Sequence, residues 1–348
     1  MIVGVAAVTF FLFRQLKILI IGMILGYLES VALWPLARGL RARRVPKALA
    51  AVLMVALAIV VLVLFFVVLL RTFIGQASEL ASLASAGSAE LKDGLSNIGS
   101  LDPQIAQKIF ASLGDLLKHL GEFLGSGIIG AVAFLGQVVT IFFLAQFLAV
   151  FFLADWETLW TWALKLRPAE RREAWDRAGR AGTRTIAAWL RAQTLIALFD
   201  ATFIGLGVFL LGVPLALPIA LLTFVLAYIP LFGAAISGAV AVLVALGANG
   251  FPTALAVLAV VIVVQQLEAN ILGPLLTARA VRFHPVATFV MMSGAGALFG
   301  VFGMFFAVPL AGAIVAMRKE LFPREEELEP SMPTGAAEAS GSRAVAPG

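Results

Sequence analysis

Gln265-Gln266-Leu267-Glu268-Ala269-Asn270-Ile271-Leu272-Gly273-Pro274 closes an apolar run that begins at Thr253, and it plants one carboxylate and three amides where the rest of the run has almost none. An ionisable group inside a membrane span costs on the order of a few kcal/mol, so it faces a protein interior or water rather than lipid. On either side lie two long hydrophobic segments interrupted by Gly and Pro. Residues 218–245 break at Ile229-Pro230-Leu231-Phe232-Gly233, and residues 285–317 break between Gly294 and Gly303. Irregular backbone at membrane depth is tolerated only where it is buried in protein or lines a water-filled cavity. The expectation is that all three stretches meet in one membrane-buried polar site.

The rest of the chain agrees with a membrane setting. Of its 348 residues 61% are hydrophobic and only 13% charged, and the mean hydropathy is +1.03; soluble domains carry about 25% charged residues. Apolar runs of about 20 residues recur, the length that crosses a hydrocarbon core about 30 Å thick. They lack the dyad alternation of a barrel, so they are helices. The fold class expected is all-α: a polytopic integral membrane protein with about eight hydrophobic segments. These are residues 2–13, 18–36, 48–70, 128–153, 194–212, 218–245, 253–272 and 285–317.

Cysteine is absent and there are two histidines, so disulfides, thiol chemistry and thiolate metal ligands are excluded. No cofactor and no metal are expected. The net charge of +5 comes from basic residues flanking hydrophobic segments, as in cytoplasmic loops. Nucleic acid is not an expected partner, because no basic domain with stacking aromatics is present.

The organisation expected is N-terminal membrane helices over residues 1–72, an extracytoplasmic helical insert over 73–127, and a membrane helix plus a cytoplasmic amphipathic helix over 128–192. A transport core over 193–317 and a disordered cytoplasmic tail over 318–348 complete it. Arg38, Arg41, Arg43, Arg44 and Lys47 put loop 38–47 in the cytoplasm. In the insert, Ile105, Ile109, Leu113, Leu116, Leu117, Leu120 and Phe123 follow helical spacing after Asp102-Pro103. Arg177, Arg180, Arg184 and Arg191 form a stripe suited to anionic headgroups or to simple positive-inside placement. Gly22 and Gly26 offer a close helix approach. Both termini are expected in the cytoplasm, in the inner membrane.

Each interrupted segment has two readings. As single kinked spans they put the Arg279/Arg282 loop outside; as hairpins that enter and leave on one side they put it in the cytoplasm. Two basic residues without an acid favour the hairpin. So does a length of about 28 to 33 residues, long for one crossing and short for two.

The blocks Thr223 to Ser237 (TFVLAYIPLFGAAIS), Leu267 to Pro274 (LEANILGP), Phe283-His284-Pro285 and Leu298 to Pro309 (LFGVFGMFFAVP) resemble the signature blocks of the AI-2E family of bacterial transporters. Asp155-Trp156-Glu157 and Arg191-Ala192-Gln193 are similar to that pattern too. The resemblance implies a secondary transporter or exporter. Some members are associated with autoinducer-2 efflux and others with sodium/proton exchange.

Glu268 is the first candidate for the substrate or ion site. Gln265 shares its helix face, while Gln266 and Asn270 pair at i,i+4. The alternative is a Glu268 at the interface, paired with Arg279 or Arg282. Asp200 is the second intramembrane carboxylate, with proton or sodium binding set against pairing to Arg191 or His284. Pro230, Gly233, Pro274, Gly294, Gly296, Gly300 and Gly303 are the hinge or broken-helix positions. His284, before Pro285, reads as a helix cap or an interface residue. The partners expected are the lipid bilayer, a small polar solute or monovalent cation, and further copies of the chain as a homo-oligomer. A transporter is the leading function, with a channel and a non-transporting envelope scaffold as alternatives. Enzyme motifs such as His-Glu-x-x-His, Gly-x-Ser-x-Gly and the P-loop are absent.

Overall fold

A computed structural model describes residues 2–97, 128–230, 232–277 and 283–322. Among these residues there are helices and no strands. The elements are α1 (Ile2–Ala42), α2 (Lys47–Asn97), α3 (Ile128–Lys165), a short 3₁₀ turn (Ala169–Arg171), α4 (Arg172–Leu210), α5 (Ala216–Leu226), α6 (Phe232–Asn249), α7 (Phe251–Leu267), one π turn (Glu268–Leu272), α8 (Gly273–Thr277), α9 (Pro285–Phe299) and α10 (Val301–Leu321). Among the described residues six helical stretches are long and apolar enough to cross a membrane. The amphipathic run at residues 102–123, the Arg279/Arg282 loop and the tail beyond 322 lie outside the described residues.

Residues 2–13 and 18–36, read as two segments, are parts of one helix. Arg14 and Lys17 interrupt the hydropathy, but a charged side chain leaves the i→i−4 backbone ladder intact. The result is a 41-residue rod, about 61 Å long at 1.5 Å per residue. Likewise α2 runs on past Arg71 to Asn97, because Ala, Ser, Leu and Glu there all permit a helix and no proline intervenes.

Both interrupted segments divide into two helices. With 11 residues, α5 reaches about 17 Å and cannot cross the core alone. α9 has 15 residues and reaches about 23 Å. Only Gly300 separates α9 from α10, with φ +65° and ψ −149°, a region open essentially to glycine. The chain reverses there and α10 packs back on α9. At the first break, Gly233 lies against the Leu226 carbonyl, where a Cβ would sit 1.9 Å from the oxygen.

The helix order in space follows from small residues. α1 packs against α3, and a Cβ on Gly22 would meet Leu144 Cδ2 at 2.7 Å, one on Gly26 the Ala145 oxygen at 2.6 Å. The Gly22/Gly26 spacing therefore does serve a close backbone approach. Gly26→Leu is expected to destabilise the protein by about 1–3 kcal/mol or more through overpacking, read as a lowered thermal midpoint in detergent; an unchanged midpoint would contradict this contact.

α4 is the central element. Its Ile186 joins a core with Ile21, Leu28, Ile141, Phe306 and Ala313. Its Ile204 and Val208 join another with Ile219, Val244, Val257 and Val261. By contrast, Val60, Val61, Val63, Leu64 and Phe66 of α2 are about half exposed, which suits lipid and not water.

Candidate functional site

The site begins with close packing of α4 on α7. A Cβ on Gly207 would lie 2.5 Å from Val260 Cγ1, so only glycine lets these helices approach so closely. The helices run antiparallel from that point. One and then two turns further along, Asp200 of α4 comes against Gln265 of α7 and Glu268 just beyond its end, both of which act on the Asp200 carboxyl. Asp200 is 2% exposed, while Glu268 and Gln265 are half-buried. Asp200 Oδ1 and Gln265 Nε2 are both buried without a hydrogen-bond partner.

Glu268 opens the π turn, in which the Gly273 N–H donates to the Glu268 carbonyl five residues back. A π turn inserts one residue into the helix and re-aims the side chains around it, and such turns recur at functional sites. Here it separates two faces. Gln265 and Glu268 face Asp200, whereas Gln266 and Asn270 are exposed and bond to each other. Asn270 Nδ2 donates to the Gln266 Oε1 and to its carbonyl, both at 2.9 Å. Pro274, in α8, is exposed as well.

Of the alternatives for the carboxylates, Arg191 donates to the Ala187 carbonyl at 3.1 Å and His284 Nδ1 accepts from the Val286 N–H at 3.3 Å as the cap of α9. Neither reaches Asp200. The ion pairs among the described residues are Lys47–Asp155, Arg177–Glu173 and Arg180–Asp176. The last two occupy half of the arginine stripe. Two like charges side by side repel by an amount that grows as water is excluded, a repulsion that a proton or a monovalent cation at the Asp200–Glu268 pair would relieve.

Seven residues before Asp200 on the same helix stands Gln193, a residue that hydropathy alone does not single out. It is buried, and its Nε2 donates to the Ala227 carbonyl at 2.6 Å. Tyr228 Oη donates to Thr194 Oγ1 at 3.0 Å. The Ala227 carbonyl, freed where α5 ends, is thus met by an α4 side chain, as a broken helix in lipid requires. Gln193→Leu leaves Ala227 without its donor and should cost about 1–3 kcal/mol, measured as a fall in thermal midpoint. No change there would mean that water serves the break equally well.

The other hinge positions divide by what touches them. A Cβ on Gly303 would lie 2.0 Å from the Ala295 oxygen, one on Gly296 would meet the Met304 side chain at 2.7 Å, and one on Gly294 would meet nothing within 4 Å. Pro230 sits in the turn between α5 and α6.

Missed by the sequence reading is Glu29, the single carboxylate of the Leu16–Ala42 span. Its Oε2 accepts from Gln146 Nε2 at 2.7 Å across α1 and α3. The same rule that singled out Asp200, an acid within an apolar span, points to it.

Comparison with known proteins agrees with this architecture. The chain is 38% identical over 195 residues to "Putative transport protein MT0215" of Mycobacterium tuberculosis (strain CDC 1551 / Oshkosh), covering 56% of this chain and 53% of that protein. It is 29% identical over 210 residues to "Putative transport protein YueF" of Bacillus subtilis (strain 168), covering 60% and 56%. With "Putative transport protein YrrI" of the same organism it shares 30% identity over 149 residues, 42% of each chain. The chain spans about half the length of these curated relatives. The model of the AI-2E family transporter matches over residues 1–322, so this multi-pass, all-helical membrane protein belongs to the AI-2E transporter family.

Proposed function

We propose that the chain is a secondary transporter in which the Asp200–Glu268 pair binds a proton or monovalent cation and couples it to movement of a small polar solute. The supporting observation is the approach of two intramembrane carboxyls at a π turn, where Asp200 Oδ1 and the neighbouring Gln265 Nε2 are both buried without a partner. With no P-loop in the sequence, the energy source is an ion gradient, a partner or the solute's own gradient. The paired breaks fit this reading, since discontinuous helices in the second half of a chain are how secondary transporters build their binding sites. Two solute classes are compatible with these side chains: amide and carboxyl groups can hydrogen-bond a polyhydroxylated molecule of the autoinducer-2 kind, and a carboxyl pair can exchange sodium for protons.

The location proposed is the inner membrane, with loop 38–47 and the Arg318-Lys319 end of α10 in the cytoplasm. Cytoplasmic placement of both termini depended on residues 2–13 crossing separately. A continuous α1 that crosses once instead favours an N-terminal end on the face opposite loop 38–47. The residue 73–127 insert is placed outside, and homo-oligomers are proposed to form through exposed apolar helix faces.

The test is reconstitution of the whole chain into liposomes with imposed sodium and proton gradients. Uptake or release of one of these ions that collapses with the gradient is the expected result. Absence of flux for either ion and for small polyols would overturn the proposal.

A further inference from the structure

A second polar contact lies between α1 and α3, and the carboxyl pair does not account for it. Glu29 stands midway along the Leu16–Ala42 span, where α1 packs on α3 through Gly22 and Gly26. Gln146, only 6% exposed, donates from Nε2 to Glu29 Oε2 at 2.7 Å. That bond leaves one oxygen on each side chain, Glu29 Oε1 and Gln146 Oε1, buried with no partner.

Both orphans are acceptors, and an ionised carboxylate has nothing to donate to either. Turning the Gln146 amide over does not help, because it would set two acceptor oxygens at the 2.7 Å contact, which only a proton can bridge. A proton on the Glu29 carboxyl is the smallest addition that converts the contact into an acid–amide pair, with an O–H to give and an amide oxygen to receive it.

Among the described residues no charge is in place to hold Glu29 ionised. Burial and the Gln146 hydrogen bond are the influences acting on it. On α1 itself the nearest titratable group is Tyr27, whose hydroxyl is shared with Thr183 of α4 at 2.8 Å. α2 carries no ionisable residue between Lys47 and Arg71, and α10 none before Arg318. On α3 the next is Asp155, which is taken by Lys47, and on α4 the next are Arg180 and Arg184. Arg180 is bonded to Asp176, and Arg184 to the Arg180 carbonyl.

We propose that Glu29, partnered by Gln146, is a proton-binding site separate from the Asp200–Glu268 pair. It sits between α1 and α3, away from the broken helices, and it does not depend on the transport reading above.

The test is infrared titration of the whole protein in lipid nanodiscs, following the protonated-carboxyl C=O stretch as pH changes. The wild type and the double variant Asp200→Asn/Glu268→Gln should both show a titrating band that Glu29→Gln lacks. Gln reproduces the neutral fork, so Glu29→Gln should keep the thermal midpoint. Gln146→Leu should shift the frequency of the same band by removing its hydrogen-bond partner, and this gives a second reading should Glu29→Gln fail to fold. A Glu29→Gln difference spectrum identical to that of the wild type, or a band unmoved in Gln146→Leu, would overturn the proposal. A Glu29-dependent band that responds to sodium at fixed pH would also overturn it, making sodium the occupant.

Discussion

Glu268→Gln and Asp200→Asn are each expected to cut gradient-driven ion flux in liposomes by about 10- to 100-fold, since a hydrogen bond to a charged group contributes about 1.5–3 kcal/mol and each 1.4 kcal/mol is about tenfold. Each substitution keeps the shape and removes the charge that a bound cation or proton would balance. Because each carboxyl acts on the other, they should behave as one unit. The double variant should be little worse than either single one, whereas independent losses would multiply. Asn270→Ala provides the contrast. Asn270 bonds Gln266 on the exposed side of the helix, so its loss should leave coupling within about twofold, a surface-scale effect of about 0.5 kcal/mol or less. Coupled flux that survives intact in both carboxyl variants would remove the pair from the transport cycle. Multiplicative losses together with lowered thermal midpoints would make the pair structural instead.

How much of this was legible in the residues depends on the range of the interaction. The helical membrane class, the two breaks and the capping role of His284 follow from local rules: run length, Gly and Pro positions, and a histidine before proline. The polar cluster at Gln265–Asn270 was visible as an anomaly, and its division into a Gln265/Glu268 face and a Gln266/Asn270 pair follows from i,i+3 and i,i+4 spacing. The π turn after Leu267 was not visible, because nothing in that spacing marks an inserted residue. The Asp200–Glu268 contact was illegible for a different reason. It needs the register of α4 against α7, set by Gly207 under Val260, which no local pattern encodes. Hydropathy also misplaced continuity in α1, because charge interrupts an apolar profile while leaving backbone hydrogen bonds untouched. Glu29, in contrast, was within reach of the argument applied to Asp200.

Gly303→Ala is expected to have the largest effect on folding of any single methyl addition in the second hairpin, above Gly300→Ala, Gly296→Ala and Gly294→Ala in that order. At Gly303 the new Cβ would lie 2.0 Å from the Ala295 oxygen and 2.6 Å from its carbonyl carbon. Backbone cannot rotate aside as a side chain can, so α10 must lift off α9. The cost should exceed the usual overpacking range of about 1–3 kcal/mol. At Gly300 nothing obstructs a methyl, but φ is +65° and ψ −149°, so the cost is conformational, about 1–3 kcal/mol. At Gly296 the obstacle is the flexible end of Met304, which can change rotamer. Gly294 is an exposed helical position with open space around it, and alanine there should stabilise the helix by about 0.5–1 kcal/mol. The chain has no cysteine, so Gly296→Cys with Met304→Cys gives a clean disulfide reporter of hairpin closure. Cross-linking should be efficient in that background and lost when Gly303→Val is added. Cross-linking that persists with Gly303→Val, or a thermal ranking in which Gly303→Ala matches Gly294→Ala, would show that α9 and α10 are not held together at this turn.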